Sequence, residues 1–195
     1  MSGPSPAVAR SEGPADKGPS LMAWRSTLTY EDELSPELQR YIAALLDGRI
    51  TGHRCPSCSR VYVPGKGFCP LCMALTTERD EVAVSDRGVV TGFTVITPVA
   101  YPGQHQTEPF VYASVLLDGA SSVLAGMEAG QDIIGIPHDQ IRAGMRVRAV
   151  WKEPADRSMD DITSRGWGCL AGVITGFTPT AEPDADPADY RGSLV

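Results

Sequence analysis

Two pairs of cysteines constrain this chain more than any other feature. Cys55 and Cys58 form one Cys-x-x-Cys pair, and Cys69 and Cys72 form a second pair after ten intervening residues. Each pair turns the backbone tightly enough for both sulfurs to reach one ion, and four soft thiolates suit Zn²⁺ in a closed tetrahedron. We therefore predict one structural zinc ion, with no open coordination position for catalysis. The alternatives are a rubredoxin-type iron site and two disulfides.

The compartment is inferred from the cysteines and from the N-terminal composition. Residues 1–27 are rich in Pro, Gly, Ser and Ala, and this composition predicts a disordered tail. They contain no apolar region of the kind that a secretory signal has. The chain contains no apolar run long enough to cross a membrane. Cysteines of proteins that are not secreted usually stay reduced, which favours metal ligation. We expect a cytoplasmic protein without membrane association.

A helix and a zinc ribbon are predicted over residues 28–78. Ser35 is a suitable helix cap, Pro36 suits the first helical position, and Gly48 is a plausible stop for a helix at about 35–47. Its apolar residues recur at helical spacing, so that face should be buried, either within the chain or against a partner. Between the cysteine pairs, Val61–Val63 and the turn Pro64–Gly67 predict a short hairpin. So small a unit needs a metal to be stable.

A small β-barrel is predicted over residues 79–179, followed by an acidic tail at 180–195. The pattern changes there to a period of two with Gly and Pro between the segments. The candidate strands are Val82–Ser85, Gly88–Thr97, Phe110–Leu117, Ser122–Met127, Arg146–Lys152 and Cys169–Phe177. A helical or turn segment near Pro137–Arg142 interrupts them. The fold class is therefore mainly β: an N-terminal helix, a rubredoxin-like zinc ribbon and a five-stranded OB-fold barrel. An SH3-like barrel and a small sandwich are the alternatives.

The charge balance separates two classes of function. The chain has 17 Lys and Arg against 24 Asp and Glu, a formal net charge of −7, and only 7% aromatic residues. A general nucleic-acid binder needs a basic surface and stacking platforms, so this composition disfavours nucleic acid as a partner. Zinc ribbons and OB folds do serve as nucleic-acid-binding modules, and such a module is the alternative function.

No catalytic signature is present in the sequence. It contains no nucleophile elbow, no phosphate-binding loop, no zinc-protease motif and no dinucleotide fingerprint. Cys169 lies in an apolar run and is predicted to be a small buried residue. His53 stands two residues before Cys55, but four cysteines already complete the metal site. We predict no catalytic residue and expect no catalysis by the chain alone.

The order of these parts resembles a known family. Along the chain stand the predicted helix, Gly48–Ile50, the two cysteine pairs, Gly88–Val95, Val111–Leu117, Gly144–Val150 and Gly176–Pro179. This combination resembles the zinc-ribbon plus OB-fold family once catalogued as domain of unknown function thirty-five, over about residues 34–179. The chain departs from the family pattern at Ser59, where glycine is usual, and over Val63–Gly67.

The resemblance implies a role in acyl-CoA metabolism. Members are typically small partners of thiolase-like enzymes, including lipid-transfer-protein-type aldolases. Others accompany enoyl-CoA hydratases in steroid side-chain degradation, and an archaeal relative bridges a thiolase and a hydroxymethylglutaryl-CoA synthase. The implied function is a non-catalytic accessory subunit that binds such an enzyme and helps to assemble or cover its CoA-thioester site. The implied assembly is an α₂β₂ heterotetramer with acyl-CoA at the interface.

Candidate contact residues for the partner or for acyl-CoA come from two long loops and from the ribbon. OB folds bind through the loops after strands one and four, here 98–109 and 153–167. The candidates in these loops are Tyr101, His105 and Trp167, since aromatic residues dominate interface hot spots. Basic side chains that could meet CoA phosphates or an acidic partner stand on the ribbon: Arg54, Arg60 and Lys66.

Overall fold

The fold is described from a computed structural model of the chain. It describes Ser26 and residues 33–97, 108–124, 133–159 and 172–193. By its internal contacts the chain divides into residues 1–33 and residues 34–195. Of the first unit only Ser26 and Glu33 are described, so the predicted tail at 1–27 lies almost wholly outside the described residues. The architecture below is that of the second unit.

An N-terminal helix, α1, spans Pro36–Leu46. The Ser35 hydroxyl accepts a hydrogen bond from the backbone N–H of Leu38 at 3.3 Å, and Pro36 occupies the first turn. Its apolar face, which includes Tyr41, Ile42 and Leu45, is buried in the main hydrophobic core. The predicted helix is confirmed, and this face is covered within the chain.

Three short strands form the ribbon sheet. They are β1 (Ile50–Arg54), β2 (Val61–Tyr62) and β3 (Glu81–Val84), in the antiparallel order β2-β1-β3. β3 was predicted among the barrel strands, but it pairs with β1. β2 also pairs with β1 instead of forming one arm of a separate hairpin, and Pro64, which has no N–H with which to extend a ladder, follows closely on its end. Beyond that turn, Phe68 and Leu75 form an isolated antiparallel bridge.

Four described strands form the barrel sheet. They are β4 (Arg87–Ile96), β5 (Phe110–Leu117), β6 (Arg146–Trp151) and β7 (Ile174–Pro179), in the antiparallel order β5-β4-β6-β7. Burial alternates along β5 from Phe110 to Val115, as a half-buried strand requires, and its last two residues are also buried. A five-stranded barrel was predicted; at the predicted strand Ser122–Met127, Leu124 makes only a bridge to Val115, and residues 125–127 lie outside the described residues. The fold class, mainly β with a helix, a ribbon and an OB fold, is confirmed.

The ribbon and the barrel share one hydrophobic core. Leu45 of the helix, Val61 and Val63 of the ribbon, and Val115 and Phe177 of the barrel belong to the same buried cluster. Two hydrogen bonds join β2 to the segment after β5: the Ser121 N–H donates to the Val61 carbonyl at 2.8 Å, and the Val61 N–H donates to the Ser121 hydroxyl at 3.1 Å. Anything that loosens the ribbon should therefore also lower the stability of the barrel.

The C-terminal segment, predicted as an acidic tail, is held against the barrel as far as it is described. Short helix α2 (Pro187–Tyr190) ends on Tyr190, which is buried against Val89 and Leu116. Arg146 binds the Asp118 carboxylate through two hydrogen bonds of 2.8 and 2.6 Å, and its Nε lies 3.2 Å from Glu182. The acidic charges of this segment are therefore partly neutralised by barrel arginines.

Replacing Tyr190 with Ala should lower the free energy of unfolding by about 2–3 kcal/mol, since a buried aromatic ring is lost from a small cluster. Urea unfolding measures the change. The control is Arg191→Ala, at an exposed neighbouring position where we expect almost no effect. Equal unfolding midpoints for both variants and the wild type would show that the segment contributes nothing to the fold.

No helix among the described residues has the length and apolar character to span a bilayer.

Candidate metal centre

The four cysteines of the two predicted pairs meet at one point. Their Sγ atoms all lie within 4.8 Å of one another, with 3.3 Å between Cys55 and Cys72 and 3.7 Å between Cys58 and Cys69. A disulfide needs about 2.05 Å between its sulfurs, and all four thiols are free, so the disulfide alternative is wrong. Across the described ranges, no other group of Cys, His, Asp or Glu side chains is close enough to share an ion.

The two knuckles are built alike. In the first, the Ser59 N–H donates to the Cys55 carbonyl at 2.9 Å, and the Cys55 N–H donates to the Arg60 carbonyl at 2.8 Å. In the second, Met73 and Cys69 repeat the first of these bonds at 2.9 Å, and Cys69 and Ala74 repeat the second at 2.8 Å. Each knuckle buries its first cysteine and exposes its second. The site is therefore formed by two equivalent turns.

Backbone N–H groups favour the thiolate form of the first cysteine in each knuckle. The N–H groups of Ser57 and Cys58 point at the Cys55 sulfur from 3.4 Å. In the second knuckle, hydrogen bonds from the backbone of Cys72 and Leu71 lower the pKa of Cys69 to about 6, although burial opposes the shift. These N–H groups supply part of the positive field that a metal–thiolate site needs.

The fourth thiolate needs a cation. The backbone N–H of Arg60 lowers the pKa of Cys58. Burial and the three neighbouring thiols outweigh this effect and raise the pKa of Cys58 to about 11. Four negative sulfurs within 4.8 Å are stable together only around a positive ion. The donor set of four thiolates fits one zinc ion of the structural kind, in which the protein supplies every ligand.

His53 is not part of this group. Its ring is buried, and its Nδ1 lies 3.0 Å from the hydroxyl of Thr76, the residue that closes the second knuckle. The ring also packs over Gly65, where a Cβ atom would come within 2.5 Å of it. His53 is therefore a structural residue that joins β1 to the second knuckle, and Gly65 leaves room for its ring.

The residue after each knuckle adopts a left-handed backbone conformation. Ser59 has φ of 60° and Met73 has φ of 57°. This region favours glycine because a Cβ atom crowds the following carbonyl oxygen. It explains the glycine that the resembled family usually has at the position of Ser59.

Replacing Ser59 with Gly should raise the free energy of unfolding by about 0.5–1 kcal/mol, because glycine adopts φ of 60° without strain. Urea unfolding of the zinc-loaded protein measures the gain. Ser57→Gly is the matched control: Ser57 lies in the same knuckle without a positive φ, so the substitution should stabilise nothing. A loss of stability in Ser59→Gly would contradict the strain argument.

The predicted contact residues fall into two groups. Arg54 and Lys66 are exposed and Arg60 is half-buried, and none of the three belongs to an ion pair found among the described residues. The other candidates, Tyr101, His105 and Trp167, lie outside the described residues, as does Cys169. The first long loop is described only at residues 108–109 and the second over residues 153–159, so their predicted role stays a prediction.

One surface feature was missed in the sequence. Four large apolar side chains on or beside the second knuckle are exposed: Phe68, Leu71, Met73 and Leu75. The signal was the contrast between the knuckle sequences, since Cys-Pro-Leu-Cys-Met replaces the polar Cys-Pro-Ser-Cys-Ser. Nothing in the metal chemistry requires the apolar residues of the second sequence.

Comparison with known proteins matches both parts of this unit. Residues 43–76 match the family model for the ChsH2 rubredoxin-like zinc ribbon domain, and residues 81–152 match the model for the ChsH2 C-terminal OB-fold domain. Together the two matches cover more than half of the chain.

Similar proteins include one curated relative and two solved structures. A DUF35 domain-containing scaffold protein of Methanothermobacter thermautotrophicus is 26% identical over 119 residues, which is 60% of this chain and 83% of the relative. A chain of the Ltp2-ChsH2(DUF35) aldolase is 21% identical with a TM-score of 0.51, and the match covers 77% of this chain and 100% of that one. A DUF35 protein of unknown function from Sulfolobus solfataricus is 19% identical with a TM-score of 0.47, over 59% and 78%.

Proposed function

Because the chain belongs to the DUF35 family, in which a ChsH2-type zinc ribbon precedes an OB fold, we propose that it is a non-catalytic accessory subunit of an acyl-CoA enzyme. The partner is a thiolase-like or lipid-transfer-protein-type enzyme. The subunit binds this enzyme and helps to assemble or cover its CoA-thioester site. The zinc ion serves as a fold staple.

The observation that carries this proposal is the succession of the two matched domains. The ribbon match at 43–76 is followed directly by the OB-fold match at 81–152, the order that the resembled family has. The printed descriptions of two similar proteins point the same way: one is a scaffold protein, and the other is part of an aldolase. Scaffolding is therefore the role that we carry over to this chain.

The metal site supports a structural role for the ion. Four cysteines complete a tetrahedral zinc, and a tetrahedral ion with four protein ligands has no position for water or substrate. Val61 and Val63, which stand between the two cysteine pairs, belong to one core with the barrel, so the ion also supports the shape of that core. The reactive groups of the proposed complex belong to the partner.

The finer details of the complex are part of the proposal. By resemblance we expect two copies of each chain in an α₂β₂ assembly, acyl-CoA at the interface, and a steroid side chain as one class of acyl group. An enoyl-CoA hydratase is proposed as an additional partner. A cytoplasmic location fits because the cysteines must stay reduced to bind metal. The net charge of −7 argues against nucleic acid as a partner.

The predicted contact residues keep their proposed role. Arg54, Arg60 and Lys66 provide positive charge on the ribbon, for CoA phosphates or for acidic side chains of the partner. Tyr101, His105 and Trp167 are proposed contacts from the two long loops.

Isolation of the tagged full-length chain from its native cells tests the proposal. We expect a thiolase-like or lipid-transfer-protein-type enzyme to co-purify, and mass spectrometry identifies it. The acyl-CoA reaction should then require the partner and be absent from the chain alone. A chain that purifies without any such enzyme, or that turns over acyl-CoA by itself, would refute the proposed role.

A further inference from the structure

The second knuckle carries an apolar surface that is exposed in the part of the chain that the structure describes. Its four side chains are Phe68, Leu71, Met73 and Leu75, with exposed fractions of 39%, 60%, 69% and 77%. Phe68 and Leu75 are bridge partners, and Leu71 and Met73 lie in the turn between them, so the four belong to one tight hairpin. We refer to these four residues as the knuckle patch. Exposed apolar clusters of this kind mark interaction sites.

The first knuckle shows that this apolar surface is not required by the metal site. It has the same pair of backbone hydrogen bonds and the same alternation of a buried and an exposed cysteine. At the positions equivalent to Leu71 and Met73 it has Ser57 and Ser59, both exposed. Two serines are therefore sufficient for a knuckle of this shape, and the leucine and methionine of the second one need another reason.

The backbone of Met73 strengthens this contrast. Its φ of 57° is unfavourable for a long side chain, and the side chain gains little burial in return. Glycine would be the least strained residue at this position, and serine serves at the equivalent one. Burial of the Met73 side chain against another protein would supply hydrophobic stabilisation that this side chain does not give to the isolated chain.

The charge of the ribbon indicates what kind of surface covers the patch. Between Gly48 and Thr77 the sequence has no Asp or Glu and four basic residues; Arg49 is paired with Asp47, and the other three, Arg54, Arg60 and Lys66, belong to no ion pair among the described residues. A symmetric contact between two copies through this face would bring like charges together. A partner surface with an apolar centre and an acidic rim complements both the apolar knuckle patch and the positive charge of the ribbon.

We propose that the knuckle patch is the docking surface for the partner enzyme, and that the facing surface of that enzyme has an apolar centre and an acidic rim. This inference rests on the proposed function, since it assigns the place where the accessory subunit holds its enzyme. The apolar side chains supply affinity, and the basic residues of the ribbon orient and speed the encounter.

The decisive variant transfers the first knuckle sequence into the second. In the full-length chain, the double substitution Leu71→Ser and Met73→Ser gives the second knuckle the same polar sequence as the first. All four cysteines stay in place. The probe is the enzyme that co-purifies with the wild-type chain, expressed and purified separately, and calorimetric titration measures its Kd. We expect at least about a tenfold increase in Kd. Side chains that become buried at the centre of an interface contribute most of the affinity. Zinc content and urea unfolding should match the wild type.

The matched control removes an exposed apolar side chain elsewhere. Phe93→Ser changes a barrel residue of β4 that is 40% exposed and lies outside the ribbon, and its Kd should equal that of the wild type. Lys66→Glu tests the charge argument: association should be slower, and its rate should depend less on salt.

The possible outcomes separate the two proposals. An unchanged Kd in the double-serine variant, with the wild type binding its enzyme normally, overturns the docking surface and leaves the accessory role standing. A wild-type chain that binds no enzyme refutes the accessory role and the docking surface together. A wild-type chain whose self-association is abolished by the two serines assigns the patch to a second copy, which also contradicts the enzyme as occupant.

Discussion

Replacing Cys58 with Ala is expected to release the zinc ion and to lower the free energy of unfolding by at least about 3 kcal/mol, since structural zinc contributes roughly 10–16 kcal/mol to the folding of small zinc domains. Cys58 closes the site opposite Cys69, and three thiolates leave the ion without its fourth protein ligand. The effect should extend to the barrel, because Val61 and Val63 belong to the same core as Phe177. Metal analysis and urea unfolding measure both consequences.

Ser57→Ala is the control for this substitution. Ser57 is in the same knuckle and exposed, and its backbone N–H, which the substitution keeps, is one of the two that donate to the Cys55 sulfur. We expect one zinc ion per chain and an unchanged unfolding curve. If Cys58→Ala also kept one zinc ion and wild-type stability, four-cysteine zinc binding would not be what stabilises this fold.

Replacing Phe177 with Ala should cost about 3–5 kcal/mol of folding free energy, the range found for aromatic residues removed from well-packed cores. Phe177 is completely buried in β7, and its carbonyl accepts a hydrogen bond from the N–H of Ile134 at 2.8 Å. The substitution leaves a cavity where the barrel sheet meets the segment that follows residue 132. The midpoint of urea unfolding should fall without a change in zinc content.

Phe93→Ala provides the matched control, since it removes the same ring from another barrel strand. Phe93 is 40% exposed, and we expect a loss of less than about 1 kcal/mol. Equal losses in the two phenylalanine variants would mean that Phe177 is not at the centre of the core.

The sequence predicted the features that depend on local pattern. Cysteine spacing predicted the metal site, a serine cap followed by Pro36 predicted the helix, and alternation predicted β5 to the residue. Each of these signals lies within a few neighbouring positions, where backbone geometry directly limits the choice of residue.

The features that were missed depend on contacts between distant parts of the chain. The alternation at Glu81–Val84 shows a strand but does not show that β1 is its partner. The acidic composition of residues 180–193 resembles a solvated tail, yet Arg142 and Arg146 bind its carboxylates, and its Tyr190 is buried against the barrel. The side chains of the knuckle patch gave no periodic signal, because a turn has no period.

We infer that the two knuckles of the ribbon have different roles. Both are shaped by the same backbone hydrogen bonds and supply two thiolates to the metal site, but only the second presents apolar side chains to its surroundings. One ion therefore fixes the fold and, through the same turn, holds the proposed docking surface in a single shape. A rigid surface of this kind loses little conformational entropy when it binds.

A calorimetric titration of the co-purified enzyme with the zinc-loaded chain tests the central proposal most directly. The accessory role predicts saturable binding at one chain per enzyme protomer, in keeping with an α₂β₂ complex, while the chain alone leaves acyl-CoA unchanged. An absence of binding heat at several temperatures, with both proteins folded and zinc present, would contradict it.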